Sequence, residues 1–371
     1  MRLLGIRSAR DFDLQLLLAA LMLAALGITA VYSATQTDQP GLADIWQRQL
    51  FSLALGLSAL VFAVVIPYRY LDALTWLIYG LSILLLVAVL LGPTHMNTHR
   101  WIRLGGMMFQ PSEIAKLATI FALAKMVAGK DLSQGNWWRM LAVMVLVLVP
   151  MALVLVEPDL GTALSFGAVF LAMIFWQGFP VRSMIYLLSP LLSMMAVFSM
   201  PSWAVFMVLL MGSFWAFRMK FKHSAWILSL NIIIGSLTPL IWQGLKEYQR
   251  MRIMIFLNPG IDPKGAGWHV LQSKIAVGSG GLLGKGFLEG TQKKLSFLPE
   301  QHTDFIFATF SEEFGFLGCL VVLGLFFWLV YRGLGIARQA RNDFASLTAV
   351  GILAVLGRSE ERRVGKECRS R

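Results

Sequence analysis

Runs of about 17 or more predominantly apolar residues recur along this chain, the length a helix needs to cross roughly 30 Å of hydrocarbon. Membrane helices are read at about 13–33, 50–66, 71–91, 111–128, 138–156, 160–178, 183–200, 203–217, 225–242 and 314–331. An eleventh begins near 344 and stops near 356. The fold class they specify is an all-α polytopic membrane protein of about ten full transmembrane helices plus a truncated one, with a large extracytoplasmic loop. Composition agrees, since only 14% of residues are charged, against about 25% in soluble domains. No small-residue cleavage site follows the arginines of Met1–Asp13, so the first run is expected to stay as a span.

Two cysteines, Cys319 and Cys368, exclude a disulfide framework and a cysteine-built zinc site. A net charge of +12 would suggest nucleic acid in a soluble protein. Here the cations are assigned to topology and anionic headgroups, and no nucleic-acid partner is expected.

Orientation follows from the short loops. With the N-terminus cytoplasmic, the inner loops hold Arg2, Arg7 and Arg10, then Arg69, then Lys125, Lys130 and Arg139. Arg182, the cluster Arg218, Lys220 and Lys222, and then Arg332, Arg338 and Arg341 follow on the same side. The segment 243–303 is therefore extracytoplasmic, and its sixty or so residues are too long for a plain connection. Within it Trp268, Leu271 and Ile275 share one helical face, as in a helix lying in the interface. At the other extreme, TAVGILAVL turns abruptly into GRSEERRVGKECRSR, and 357–371 is expected to be a non-native tail on a truncated chain.

Several polar groups gather at the outer boundary. Asp304, in FLPEQHTDFIFA, is either an ordinary interfacial carboxylate or helix N-cap, or an acid whose low-dielectric setting suits it to general-base work. Glu312 and Glu313 are expected at the start of the next helix, where acids are favoured. In QPSEIAK, Glu113 and Lys116 lie three residues apart on an apolar helix, as a local ion pair or as charges facing a pathway. Arg100 and Arg103 stand outside against the positive-inside trend, which suggests an anionic partner. EPDLGT places Glu157 and Asp159 around a proline, a sharp turn or a further acidic contribution. GSGGLLGKG lacks the spacing, the Ser/Thr and the strand of a phosphate loop. What remains is a glycine-rich turn with Lys274 and Lys285, able to offer N–H groups and cations to an anion such as a diphosphate.

PSEIAK, PDLGT, the run from GAGWHVLQSKIAVGSGGLLGKG to HTDFIFA, and SEEFGFLG together resemble the SEDS family (shape, elongation, division and sporulation), its rod-shape branch more than its division branch. The resemblance covers most of 10–356 and implies a peptidoglycan glycosyltransferase that polymerises lipid II at the outer face of the bacterial inner membrane. It maps the family's essential aspartate onto Asp304, as general base or as holder of a divalent cation (Mg or Mn) near the diphosphate. Arg100, Glu113, Lys116, Asp159, Gln272, Lys274, Lys285 and His302 are the expected substrate contacts. The implied partners are lipid II and undecaprenyl diphosphate, the membrane, and a class B penicillin-binding protein within the elongation complex. Two departures from the family pattern are expected, an extra helix pair at 183–217 and the missing end. A lipid-linked precursor flippase and a non-catalytic scaffold for a transpeptidase are the alternatives. A transporter should place its charges near the midplane and show internal repeats.

Overall fold

The computed structural model describes residues 13–36, 44–92, 102–104, 107–129, 137–157, 159–245, 247, 250–251, 254, 268–290 and 305–365. Each of the eleven segments expected to enter the membrane is helical. They are α1 (Leu14–Thr35), α2 (Ile45–Val65), α3 (Tyr68–Leu91), α4 (Pro111–Val127), α5 (Trp137–Val156) and α6 (Leu160–Trp176), followed by α7 (Val181–Ala196), α8 (Met200–Ala216) and α9 (Phe221–Gly244). After helix α10 (Trp268–Ser279) come α11 (Ile306–Gln339) and α12 (Asp343–Gly365). In hydrocarbon each backbone N–H and C=O must be satisfied within its own segment, so apolar runs of this length become helices. Six of them are long and apolar enough to span: α1, α2, α3, α5, α9 and α11. The shorter apolar helices are α6, α7, α8 and the 343–357 part of α12. The spans carry large apolar side chains on their outer surfaces, among them Phe62, Leu84 and Phe327, as lipid contact requires. This is a polytopic helical membrane protein.

One strand pair was not foreseen. Ile102–Leu104 (β1) and Met107–Phe109 (β2) pair antiparallel, with Leu104 opposite Met107. Gly105-Gly106 between them is the sequence signal that marks such a hairpin.

The chain divides into two compact units, Met1–Gln177 with Asp262–Arg371, and Gly178–Ile261. In the first, α4 is the central helix. Ala115, Ala118, Ile120, Ala122, Leu123, Ala124 and Val127 are all fully buried along it. Its alanines let α3, α5, α6 and α12 approach closely, the small-residue packing of membrane bundles. Gly351 of α12 is part of that approach, since a Cβ there would lie 2.6 Å from Ile120 Cγ2 and 2.9 Å from Met173 Sδ.

Polar contacts sort the helix ends of this unit. At one end, here called basal, Asp13 caps α1 and binds Arg332 of α11 through Nη2 at 2.6 Å. There too Gly129 N donates to Asp343 Oδ2 at 2.9 Å, Trp176 Nε1 donates to Ser346 Oγ at 2.8 Å, and Lys125 meets Asp72 at 3.3 Å. The starts of α1, α3 and α12 thus lie beside the ends of α4, α6 and α11.

Asp13 yields a pH prediction. Burial pushes its carboxyl up, but the Leu16 N–H and the Arg332 guanidinium outweigh this and leave it below the usual carboxylate value. A depressed folded-state pKa stabilises above the unfolded value and is lost as pH falls through the folded one. Asp13→Asn should therefore lower Tm at pH 7, and the gap from wild type should close below about pH 4. Paired thermal scans in detergent measure it.

The second unit packs α7, α8 and α9. Its core holds Tyr186, Met207, Leu210 and Phe214. Beside them Asn231 Nδ2 donates to Ser189 Oγ at 2.9 Å, while Ser193 Oγ donates to the Asn231 carbonyl and accepts from Trp203 Nε1. Such side-chain bonds join helices where the apolar driving force is weak.

Candidate functional site

At the end of the first unit opposite the basal contacts, α11 does not begin where the hydropathy does. It starts at Ile306 and breaks at Gly315, whose φ of 64° and ψ of −164° lie outside the helical region. A break inside a membrane helix frees backbone groups that must find partners. The turn after α10 supplies them. Lys285 N donates to Glu312 O at 3.0 Å and Gly286 N to Glu313 O at 3.1 Å. In return Phe316 N donates to Gly281 O at 2.9 Å and Leu317 N to Leu282 O at 3.1 Å.

Only glycines permit this interlock. A Cβ on Gly280 would lie 2.1 Å from Ser311 O, and one on Gly284 would lie 2.1 Å from Glu313 O. A Cβ on Gly315 would lie 2.2 Å from Gly284 N. Gly284 (φ 83°) and Gly315 also adopt the left-handed backbone that glycine alone takes without strain. The glycine-rich run is a backbone-to-backbone joint.

This corrects the expectation for Glu312 and Glu313. They are not first-turn acids at a helix start, since α11 begins six residues earlier and both are buried in its short leading segment. Glu312 Oε1 lies 2.7 Å from Lys285 Nζ and accepts a longer bond from Ser279 Oγ at 3.4 Å. Glu313 Oε1 accepts from Ser33 Oγ of α1 at 2.5 Å. Over them Phe287 stacks on Tyr32 at 6.4 Å and sits 6.2 Å from Phe314. Ala30, Val31 and Ala34 of α1 pack against Ile306 and Phe310. Excluding water in this way strengthens each charged contact.

Asp304 itself, with His302 and Arg100, lies outside the described residues. The next residue, Phe305, is buried against Ala308 and against Ala276 of α10. Gln272, one turn before Ala276, is buried on that helix, whereas Lys274 is exposed. Trp268 and Ile275 of α10 are exposed.

The remaining expected residues form a second cluster at the same end. Asp159 caps α6, accepting from Thr162 N at 3.1 Å and from Thr162 Oγ1 at 2.6 Å. Gln110 Nε2, at the head of α4, reaches Asp159 Oδ2 at 3.3 Å. Lys116 is buried and pairs with the half-exposed Glu113 at 2.7 Å. The turn reading of EPDLGT and the local ion pair of QPSEIAK are thus what the geometry contains, and both set charges at the heads of α4 and α6.

Sequence reasoning did not find Ser33, Gln110 or Thr162. Ser33 and Thr162 read as small polar residues inside or beside apolar runs, and nothing local distinguishes them. Among the described residues no group of three or more His, Cys, Asp or Glu is placed to hold a metal. Of the described carboxylates here, Glu312, Glu313, Glu113 and Asp159 engage Lys285, Ser33, Lys116 and Thr162, and Glu157 is buried as well. Asp304, the residue expected to hold a divalent cation, lies outside the described residues, and no chemistry is derived through one.

The family model for cell cycle proteins of the FtsW, RodA and SpoVE type matches residues 14–215 and 202–359. The peptidoglycan glycosyltransferase MrdB of Escherichia coli K12 is 35% identical over 92% of this chain and 80% of its own length. The peptidoglycan glycosyltransferase RodA of Treponema pallidum is 33% identical over 94% of this chain and 88% of its own. Among solved structures, one chain comes from a peptidoglycan synthase complex, determined for the structural coordination of polymerization and crosslinking. It superposes with TM-score 0.67 at 26% identity, over 93% of this chain and 84% of that one. Thermus thermophilus rod shape determining protein RodA shares the fold, with TM-score 0.57 at 24% identity over 93% of this chain and 82% of that one. With a family model matched along nearly the whole chain and relatives above 30% identity, this chain belongs to the FtsW/RodA/SpoVE family of cell cycle proteins, the SEDS family.

Proposed function

We propose that this protein is a peptidoglycan glycosyltransferase that polymerises lipid II into glycan strands for cell elongation and rod shape. The observation that carries the reading is the 35% identity, over 92% of the chain, to a protein of that name. The geometry agrees with it. Buried charge gathers at one end of the first unit, around Glu312, Lys285, Asp159 and Lys116, rather than at mid-span where a transporter would hold it.

That end is read as extracytoplasmic. The basal end carries Arg332, Arg338 and Arg341 beside Lys125, the cation excess of an inner-face surface. The N-terminus is then cytoplasmic and the chain lies in the bacterial inner membrane.

In the reaction the acceptor's 4-hydroxyl oxygen attacks the donor's anomeric carbon. The hydroxyl proton passes to Asp304, and the bond to undecaprenyl diphosphate breaks with its electrons on the departing phosphate oxygen. The exposed Lys274, with His302 and Arg100, contacts substrate near the diphosphate. Glu113, Lys116, Asp159 and Gln272 shape the pocket wall at the heads of α4, α6 and α10. A class B penicillin-binding protein of the elongation complex is the partner that cross-links the product. The similarity to a chain from a peptidoglycan synthase complex supports this.

The test is reconstitution in liposomes with that partner and labelled lipid II. Glycan strands of increasing length are expected on a denaturing gel. Lipid II that changes leaflet without being joined would refute polymerisation and favour the flippase.

A further inference from the structure

We propose that Lys285 and Glu312 are positioning residues for this reaction. Their ion pair, seated on the Gly280–Gly286 joint, sets the 305–314 segment whose first residue follows Asp304. The inference rests on the glycosyltransferase reading and deepens it.

Three fastenings meet on that segment. Phe305 and Ala308 pack on Ala276, which ties its head to α10. Glu313 accepts from Ser33, which ties its tail to α1. Between them the Lys285–Glu312 pair joins it to the turn, at 2.7 Å and with the carboxylate fully buried. The backbone bonds from Lys285 N and Gly286 N fall on the carbonyls of the same two glutamates. One short helix is therefore held by side chain and main chain at the same residues. A segment fixed in this way has little freedom to swing, and its head, Phe305, the residue covalently next to Asp304 in sequence, is fixed with it.

Lys285 could instead be a cation for the diphosphate, as its sequence context suggests. The buried Glu312 carboxylate argues against this, because a diphosphate drawn to Lys285 would meet a fixed negative charge within a few ångströms. Moving a catalytic group by about 1 Å can slow chemistry about a hundredfold without weakening substrate binding.

The experiment measures kcat and KM for lipid II in the reconstituted protein with its partner. The variants are Glu312→Gln, Lys285→Met, Lys285→Arg and Ser33→Ala, with Asp304→Asn in parallel, and each is checked for folding by thermal scan. Expected are kcat losses of about 10- to 100-fold for Glu312→Gln and Lys285→Met, with KM little changed and with kcat largely restored in Lys285→Arg. Ser33→Ala should lose kcat more mildly in the same pattern, and it carries the test if the ion-pair variants do not fold. A raised KM at constant kcat for Lys285→Met would make Lys285 a substrate contact and overturn the proposal. Folded variants with wild-type kcat would overturn it as well. Wild-type polymerisation by Asp304→Asn would remove the base assignment, and the proposal with it, whatever the ion-pair variants do. If only the ion-pair variants behave as wild type, the glycosyltransferase reading stands without the positioning role.

Discussion

Asp304→Asn is expected to slow glycan polymerisation by about 10²- to 10⁴-fold, the usual contribution of a positioned general base. Asparagine keeps the shape and the carbonyl acceptor but cannot take the proton from the acceptor hydroxyl. Expression, Tm and partner binding should be unchanged, because asparagine has nearly the same size and shape as aspartate. Asp304→Glu should retain more activity than Asp304→Asn, with its carboxylate displaced by one methylene. The measurement is single-turnover lipid II consumption by purified, reconstituted protein. Normal polymerisation by Asp304→Asn would end the base assignment.

Gly284→Ala is expected to be the most destabilising small substitution in the joint. Its Cβ would lie 2.1 Å from Glu313 O, 2.5 Å from Glu313 C and 2.7 Å from Gly315 N, all backbone atoms with no rotamer to yield. Its φ of 83° adds left-handed strain. Together these should cost more than about 3 kcal/mol and lower the yield of monodisperse protein. Gly281→Ala is the control, with φ of 57° but nothing within 4 Å of its Cβ. It should cost only about 1 kcal/mol, from backbone strain alone. Equal melting temperatures for the two variants would show that the two backbones are not in contact as described.

The same joint shows where a sequence can and cannot be read. GSGGLLGKG is visible as a glycine-rich turn, and its failure as a phosphate loop follows from spacing. What the glycines are for is not visible, because the atoms they admit belong to Ser311, Glu313 and Gly315, some thirty residues on. Lys285 likewise reads as a free cation until the fold sets Glu312 beside it. EPDLGT was legible as a turn with an acid, since capping is local, but its Gln110 neighbour comes from another helix.

Sequence alone determined the membrane class, the eleven helices, the cation asymmetry of the short loops and the family resemblance. These depend on hydropathy, charge and motifs, which are properties of contiguous residues. Only the tertiary structure decided that α11 starts at Ile306 and breaks at Gly315, that Glu312 and Glu313 are buried, and that Lys285 and Ser33 hold them. Those outcomes are set by which backbones can approach within van der Waals contact, and by the need to partner each charge and freed peptide group taken out of water.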